Sequence, residues 1–329
     1  METLAAADRQ LAQTILAGQG PARRRALAKA ITLIESTRVD HRARADDLLN
    51  ALLPASGRSL RLGISGVPGV GKSTFIETLG LHLIAQGHRV AVLAVDPSSS
   101  VSGGSILGDK TRMERLSVQE QAFIRPSPAA GNLGGVAEKT RESLLLCEAA
   151  GFDVVIIETV GVGQSETAVA GMTDMFVLLQ LPNAGDDLQA IKKGVMELAD
   201  LVVINKADLD EPAATRARAQ ITSALRYFGP HAHSAVQVLQ LSALQATGLE
   251  VFWQAVTRFR DRRAADGQLQ QRRRRQDEAW MWERVEAGLR QRFHQHPAVR
   301  AALPGLSDDV RSGRLAASVA ARRLLDLTN

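Results

Sequence analysis

The sequence of 329 residues is poor in cysteine and in aromatic side chains. Cys147 is its single cysteine, so no disulfide can form within the chain and a reducing compartment is expected. Because Cys147 follows an apolar run, we predict a small buried helix residue. Aromatic residues make up 4% of the chain, which favours a core of aliphatic strands and helices over an aromatic-rich β-sandwich.

Long hydrophobic runs and a basic leader are also lacking. No apolar stretch approaches the roughly 20 residues that a membrane-spanning helix needs. Glu2 and Asp8 stand where a secretory leader would be basic, so we expect a cytoplasmic protein with no membrane association. The net charge of +5 is compatible with a phosphate-bearing ligand or an acidic partner, although solubility alone explains such an excess.

The middle of the chain alternates short apolar strands with helical stretches. The predicted strands cover residues 60–64, 90–95, 154–157, 175–181, 201–204 and 236–241, and the helices between them include 73–85 and 136–150. This alternation predicts an α/β fold with a doubly wound, mainly parallel sheet and helices on both faces. We expect the ligand at the carboxyl ends of the strands, in a domain of residues 57–262 between helical extensions at 1–56 and 263–329.

Residues 66–73 match the phosphate-binding pattern G-x-x-x-x-G-K-[ST] between a predicted strand and a helix, which is the context that this P-loop requires. Glycines let backbone N–H groups wrap a phosphate without obstruction by a Cβ atom. A lysine at this place reaches the β- and γ-phosphates, and the following hydroxyl binds Mg²⁺. The predicted nucleotide-binding residues here are Gly66, Val67, Pro68, Gly69, Val70, Gly71, Lys72, Ser73 and Thr74.

Two further segments predict guanine as the base. Asn205-Lys206-Ala207-Asp208 matches N-K-x-D, in which the carboxylate accepts hydrogen bonds from guanine N1–H and its exocyclic amine. Adenine would present a lone pair there, and a site built on such bonds rejects its analogue strongly. Lys206 is expected to lie over the ring and Asn205 to connect this loop to the P-loop. Ser242-Ala243-Leu244 is a weaker match to the S-A-x element whose backbone N–H meets guanine O6.

Magnesium requires carboxylates near the phosphates. Asp96 and Glu158 each follow a predicted strand and point to that side of the sheet. Asp109, in the glycine-rich segment 103–113, is a third candidate, with a surface loop or a helix cap as the alternative. Gly161 could offer its N–H to the γ-phosphate and so sense the nucleotide state.

The group that orients the attacking water is left open among Asp109, Glu158 and Gln164, with Lys72 stabilising charge on the transferred phosphoryl group. No arginine finger is evident, although Arg112, Arg141 or a residue of a partner could serve.

Longer blocks of sequence resemble the MeaB/ArgK family of P-loop GTPases. These are Ala-Val-Asp-Pro-Ser-Ser at 94–99, the segments 103–113 and 146–153, Glu-Thr-Val-Gly-Val-Gly-Gln-Ser-Glu at 158–166, and 186–194. The resemblance implies the SRP/MinD-like branch of the fold, with a C-terminal helical arm that forms a homodimer. It also implies a GTP-hydrolysing chaperone that gates adenosylcobalamin loading from an adenosyltransferase. The client would be a B12-dependent acyl-CoA mutase, methylmalonyl-CoA mutase or a relative, which the chaperone protects.

The same resemblance assigns Lys72, Asp96, Asp109 and Glu158 to nucleotide and Mg²⁺ positions. It makes 186–193 a switch loop that couples to the mutase, whereas the residues alone show only a polar loop that enters a helix. Asn183 departs from the glycine common in relatives, which affects only the expected flexibility of that loop. The coupling residues implied are Asp186, Asp187, Gln189 and Lys192.

The C-terminal region allows two interpretations of its apolar residues. An apolar stripe of Trp282, Val285, Leu289 and Phe293 is either intrachain core or a dimer seam, and more helix is predicted over 307–327. The arginine run 272–275 is typical of a solvated helix, because no aromatic platform accompanies it for nucleic acid.

Three other functions compete with this one. One is a protein kinase of the ArgK type acting on amino-acid-transport binding proteins, which sequence alone does not exclude. A metallochaperone GTPase would need Cys and His ligands beside the switches, whereas here Cys147 is the single cysteine and His231 and His233 lie in a late loop with no cysteine nearby. A non-enzymatic cobalamin carrier would need the D-x-H-x-x-G signature, which the chain lacks.

Overall fold

A computed structural model describes residues 4–95, 113–126, 133–159, 165–182, 193–226 and 236–328 of the chain. A seven-stranded sheet with order β3-β2-β4-β1-β5-β6-β7 forms its centre, and every strand pair is parallel. The strands are β1 (Leu60–Gly66), β2 (Val90–Val95), β3 (Ala122–Arg125), β4 (Val154–Thr159), β5 (Met175–Gln180), β6 (Leu201–Ile204) and β7 (Gln237–Gln240).

Helices connect the strands and cover both faces, which confirms the predicted fold class. The N-terminal helices are α1 (Ala6–Ala17), α2 (Gly20–Glu35) and α3 (Val39–Leu52), followed by a 3₁₀ turn (Leu53–Ala55). Those between and after the strands are α4 (Lys72–Ala85), α5 (Glu114–Ser117), α6 (Leu133–Ala149), α7 (Ser165–Ala170), α8 (Lys193–Leu198), α9 (Glu211–Arg226) and α10 (Leu249–Ala265).

The strands are apolar on both sides because successive residues enter different cores. Val90 and Val92 of β2 belong to a cluster with Phe75 and Phe252, on the face that α4 and α10 cover. Leu93 lies in the opposite cluster, together with residues of α1, α2, α3 and α6. Burial on both faces is the pattern expected of a parallel sheet between two helical layers.

The buried ion pair between Arg61 and Glu148 holds β1 against α6. The Arg61 guanidinium donates through Nε and Nη2 to the two carboxylate oxygens, each at 2.9 Å. Ser59 and the Gly57 N–H donate to the same carboxylate, at 2.5 and 2.7 Å respectively. Cys147, next to Glu148 on α6, is fully buried, as predicted from the sequence.

Polar contacts also fix the N-terminal helices. Asp8 of α1 is buried and accepts two hydrogen bonds from Arg44 of α3, at 2.8 and 2.9 Å. Glu35 at the end of α2 forms an ion pair with Arg125 of β3.

Several predicted boundaries need correction. The strand β3 was not predicted, and β1 continues to Gly66, so that the first glycine of the P-loop is part of the sheet. Glu158 was predicted to follow β4 but lies within it, and Thr159 is its last residue.

The chain divides into two compact units, Met1–Leu269 and Gln270–Asn329. The predicted boundaries at residues 56 and 262 remain predictions. Helix α11 (Gln268–Gln295) begins at the end of the first unit, and the second unit also contains α12 (Pro297–Arg311) and α13 (Ala317–Asp326). The helix predicted over 307–327 is present as the end of α12 and the whole of α13, with a break at residues 312–316. Across the described residues, no helix combines the length and hydropathy that a membrane crossing requires.

Candidate nucleotide site

The P-loop leaves the sheet at its central strand. β1 lies between β4 and β5, where the chain changes direction across the sheet, and a crevice at such a point is the usual ligand site of an open parallel sheet. A Cβ atom at Gly66 would stand 2.6 Å from the Leu179 carbonyl oxygen, so the loop can begin this close to β5 only with glycine.

The P-loop also starts helix α4. Gly71 is its N-cap residue, with φ of +91°, and its carbonyl accepts the Phe75 N–H at 2.9 Å. The free N–H groups of a first helical turn, together with the helix dipole, attract phosphate. Ser73 and Thr74 lie in this turn, Ser73 half-buried and Thr74 exposed.

Lys72 lies across the loop to which it belongs. Its Nζ donates to the carbonyl oxygens of Gly66 at 2.7 Å and Val67 at 3.2 Å. Val67, Pro68 and Gly69 are exposed, whereas Val70 is buried beneath them. The Lys72 ammonium therefore lies next to the exposed part of the loop, as phosphate binding requires.

Asn205 joins the P-loop to both predicted guanine segments. It follows β6, is 1% exposed, and donates through Nδ2 to the Val70 carbonyl at 2.8 Å. Its Oδ1 accepts the Ala243 N–H at 3.0 Å. The predicted contact between Asn205 and the P-loop is thus present, and the side chain of one residue holds three loops together.

Lys206 and Asp208 continue the same turn. Lys206 adopts φ of +60°, and its Nζ donates to the Gly69 carbonyl at 2.9 Å, so its stem runs from the base segment towards the phosphate loop. Asp208 is exposed, and no group in the described part of the chain donates a hydrogen bond to its carboxylate. A carboxylate in this situation is available to accept from a base.

The S-A-x segment is a tight turn after β7. Ser242 pairs with Thr247 through two backbone hydrogen bonds of 3.1 Å, and its Oγ accepts the Gln245 N–H at 3.1 Å. Ser242 and Ala243 are buried, whereas Leu244 is 80% exposed.

Sequence reasoning missed two polar contacts below the site. Thr78 of α4 donates to the Ala243 carbonyl at 3.0 Å and so supports the base segment from the helix that starts at the P-loop. Ser65 and Thr159 share a hydrogen bond of 2.9 Å between the ends of β1 and β4. The sequence signal for the second contact is a polar residue near the end of each strand, whereas Thr78 on its helix gave none.

Of the predicted magnesium ligands, Ser73 and Glu158 are described. Glu158 is buried and lies beside Ile64 of β1 and Ala94 of β2. The described residues contain no group of three or more His, Cys, Asp or Glu side chains that could hold a metal ion. The predicted Asp96, Asp109, Gly161, Gln164, Asp186, Asp187, Gln189 and Lys192, and also Arg112, lie outside the described residues.

Arg141, considered as an arginine finger, is buried in α6. Its Nη2 donates to the Gly171 carbonyl at 2.9 Å. It would have to leave this contact to reach a nucleotide, so the structure does not favour that role.

A P-loop joined to a guanine-recognition motif at the carboxyl edge of a parallel sheet defines the class of P-loop GTPases. A family model described as "Methylmalonyl Co-A mutase-associated GTPase MeaB" matches residues 27–298. The chain belongs to this family and is a GTPase.

Similar proteins agree with this assignment. A protein of Caulobacter vibrioides that is named a GTPase is 58% identical over 303 residues, which cover 92% of this chain and 93% of that protein. The mouse protein "Methylmalonic aciduria type A homolog, mitochondrial" is 44% identical over 336 residues, covering 98% of this chain and 81% of that one. The crystal structure of a protein named "LAO/AO transport system kinase" superimposes with a TM-score of 0.78 at 38% identity, with 98% of each chain covered.

Proposed function

We propose that this GTPase is a chaperone of an adenosylcobalamin-dependent acyl-CoA mutase, methylmalonyl-CoA mutase or a close relative. It gates the loading of the cofactor, which an adenosyltransferase supplies, and protects the mutase from inactive cofactor in the cytoplasm. The observation that carries this proposal is the family match over residues 27–298, whose description joins the GTPase to methylmalonyl-CoA mutase. The name of the mouse relative, which refers to methylmalonic aciduria, supports it.

The chemistry of the proposed GTP hydrolysis follows from the P-loop. The loop N–H groups and the Lys72 ammonium hold the β- and γ-phosphates and stabilise the charge that develops on them. Lys72 exchanges its carbonyl partners Gly66 and Val67 for phosphate oxygens when the nucleotide enters. Asp208 selects guanine, and the backbone of Ser242, Ala243 and Leu244 closes the pocket on guanine O6.

Magnesium fits the described donors, because a hydroxyl and a carboxylate are the hard oxygen ligands that this ion prefers. Ser73 and Glu158 would hold it with Asp96 and Asp109. When bound, Mg²⁺ supplies positive charge to the β- and γ-phosphate oxygens. Asp109, Glu158 and Gln164 remain the candidates for orienting water. The Gly161 N–H contacts the γ-phosphate, so this contact exists only before hydrolysis. The coupling of the nucleotide state to the mutase is assigned to Asp186, Asp187, Gln189 and Lys192.

Purified chain should be assayed with GTP and with ATP, alone and with either methylmalonyl-CoA mutase or isobutyryl-CoA mutase. We expect slow hydrolysis of GTP, a higher rate with the client mutase, and little activity on ATP. Lys72→Ala should abolish both rates. Gln189→Ala combined with Lys192→Ala should lower the stimulated rate more than the basal rate. Equal rates with and without both mutases would contradict the chaperone proposal while leaving the GTPase assignment intact.

The protein of the similar crystal structure is named a kinase, so phosphoryl transfer to a protein is the second candidate function. GTP labelled at the γ-phosphate distinguishes the two functions. Hydrolysis releases all the label as free phosphate, whereas a kinase would leave it on an added amino-acid-transport binding protein.

We further propose a homodimer formed through the C-terminal unit. On α11, Trp282 and Leu289 are 56% and 59% exposed, and Val285 is 41% exposed, which contradicts an intrachain core for these three residues. Apolar side chains aligned on one helix face, with a half-buried Phe293, suit a helix-to-helix seam.

Light scattering tests the dimer directly. The proposal predicts a mass of twice 35.3 kDa for the wild type and the monomer mass for Leu289→Glu. Leu325→Glu is the matched control, since Leu325 is 58% exposed on α13 of the same unit and is not part of the stripe. A wild-type monomer at micromolar concentration would overturn the proposal.

A further inference from the structure

A second polar cavity lies at the opposite edge of the sheet from the P-loop. Its volume is about 360 Å³, and its lining includes the first turn of α2, Arg89 before β2, Gln121 before β3 and Phe152 before β4. These residues stand at the amino ends of parallel strands, whereas the P-loop and Asn205 follow the carboxyl ends of β1 and β6. The cavity is therefore separate from the nucleotide site.

Three guanidinium groups line this cavity: Arg23 and Arg24 of α2, and Arg89. Arg23 and Arg89 converge on one acceptor, because the Nη1 atoms of both donate to the Ala150 carbonyl, at 3.1 and 3.2 Å. A Cβ atom at Gly151 would meet the Nη1 atom of Arg89 at 3.1 Å and that of Arg23 at 3.5 Å. Two cations are thus held close together at a backbone carbonyl.

Two described carboxylates, Asp153 and Glu120, act on Arg89, against three arginines in the lining, so the positive groups exceed the negative ones by one. Asp153 is engaged by His88 at 2.7 Å and by the Arg89 backbone N–H at 2.7 Å. Glu120 is exposed at the rim, 2.9 Å from where a Cβ atom of Gly20 would be. Burial lowers the pKa of Arg89 and the neighbouring charge of Arg23 lowers it further, and the charges of Asp153 and Glu120 offset this only in part. The cavity therefore has an excess of positive charge that an anion would relieve.

One donor without a partner and an apolar wall are further features of the cavity. The Nε atom of Arg23 is buried and has no hydrogen-bond partner in the described structure. A buried donor without a partner costs free energy, and such groups call for a specific explanation. The Arg89 Cζ atom lies 4.8 Å from the centroid of the Phe152 ring, which is a cation–π contact.

We propose that this cavity binds the phosphate group of a small organic molecule, at a site distinct from the nucleotide. Guanidinium groups bind phosphate through paired N–H donors, and several of them around one cavity match a dianion better than a carboxylate. Phe152 and Leu27 provide the apolar surface for the organic part of the ligand. This inference goes beyond the proposed chaperone function and does not depend on it.

A purely structural role for the arginines is the alternative. Arg24 donates to the carbonyls of Ser117 and Gln119, and both Arg23 and Arg89 donate to that of Ala150. The three side chains could therefore serve only as links between elements of this unit. In that case, replacing them would lower the stability of the protein, and the wild type itself would show no binding of phosphate.

Calorimetric titration of inorganic phosphate separates these roles. The full chain is first saturated with Mg²⁺ and the β,γ-imido analogue of GTP, so that the P-loop is filled. We expect phosphate to bind, Arg89→Gln and Arg23→Gln each to weaken it about tenfold or more, and Arg25→Gln to have no effect. Arg25 is the matched control because it is exposed on the same helix and does not line the cavity.

Glu120→Gln keeps the test decisive if an arginine variant fails to fold. Removing this exposed carboxylate should tighten phosphate binding roughly fivefold, because a repulsive charge at the rim disappears. Citrate and acetate are titrated in parallel to test for a carboxylate site. No heat with phosphate, unchanged affinity in both arginine variants, no tightening in Glu120→Gln, or carboxylates that bind as well as phosphate would each overturn the proposal.

Discussion

The Asn205 side chain connects the P-loop to the segment after β7, so its role in the nucleotide site is wider than base recognition. Replacing it with alanine leaves the buried Val70 carbonyl and Ala243 N–H without partners. We expect Asn205→Ala to lower the free energy of unfolding by about 1–3 kcal/mol and to weaken GDP binding, because the phosphate and base loops separate. Urea denaturation and calorimetry with GDP measure the two effects.

A matched variant tests the specificity of that result. Asn50 is exposed on α3, so Asn50→Ala should change stability by less than about 0.5 kcal/mol. Asn205→Asp keeps an acceptor for the Ala243 N–H but sets a carboxylate against the Val70 carbonyl, and we expect it to be at least as damaging as alanine. A stable Asn205→Asp variant with normal GDP affinity would show that the contact with the P-loop is dispensable.

Asp208 tests base selection separately from folding, since its side chain is exposed. Asp208→Asn should weaken GTP binding roughly 100-fold or more, because the amide presents a donor where guanine also has one. The same amide can donate to the 2-oxo group of xanthine, so binding of xanthosine triphosphate should improve. Competition binding with the two nucleotides measures the change, and Asp266→Asn is the control for losing a surface carboxylate.

At the scale of elements, the ion pair between β1 and α6 should make stability depend on pH. Burial alone would raise the pKa of Glu148, but hydrogen bonds and the charge of Arg61, with Ser59 and the Gly57 N–H, hold that pKa below its ordinary value. A lowered folded-state pKa gives stability that is present above the unfolded-state pKa of about 4.3 and is lost as the pH falls through the folded-state value.

Glu148→Ala should therefore destabilise the chain by about 3–5 kcal/mol at pH 7, because it leaves the Arg61 guanidinium buried without its partner. The destabilisation should shrink as the pH falls from the unfolded-state pKa of about 4.3 through the lower folded-state pKa of Glu148, because the wild type loses the same interaction there. Urea midpoints at pH 7, 5 and 3.5 test this, with Asp46→Asn on the exposed face of α3 as control. A difference between variant and wild type that stays constant with pH would show that Glu148 acts by packing alone.

The elements also show what the sequence can and cannot predict. Six strands were predicted because their apolar runs are bounded by glycine or polar residues, whereas the four residues of β3 (Ala-Phe-Ile-Arg) make too short a run to distinguish from a loop. Helix α12 contains Pro304 followed by Gly305 within its span, although both residues normally interrupt helices. Val299 of α12 and residues 122–124 of β3 are buried, and hydrophobic periodicity carries no signal for such local burial.

The parts of the candidate site that were predictable are those in which nucleotide binding requires particular residue types in a fixed order along the chain. The P-loop and the Asn205 contact follow from such an order, since glycine, lysine and amide each have a specific task near a nucleotide. Thr78 and its bond to Ala243 were not predictable, because a threonine on a helix has many possible partners and only the packing of α4 selects one.

For the whole molecule, nucleotide binding should appear as thermal stabilisation. A ligand at 100 times its dissociation constant adds about 2.7 kcal/mol to stability, which raises the Tm of a chain of this size by roughly 5 °C. We expect this shift with GDP and Mg²⁺, and little shift with ADP at the same concentration. Scanning calorimetry should locate it in the transition of Met1–Leu269, which contains the P-loop, if the two units melt separately.

Lys72→Ala is the control, and it should melt at the same temperature with and without GDP. A wild-type Tm that ADP raises as much as GDP would contradict the base selection assigned to Asp208.

The Cys147 thiol of α6 can be used to measure transient exposure of this helix to solvent. Burial raises the pKa of Cys147, which suppresses the reactive thiolate, and the side chain has no access to solvent in the folded chain. A disulfide reagent such as dithionitrobenzoate can then label the protein only during transient exposure of this helix. The labelling rate in native buffer measures the free energy of that opening, and engineered surface cysteines can carry probes without background from a second thiol.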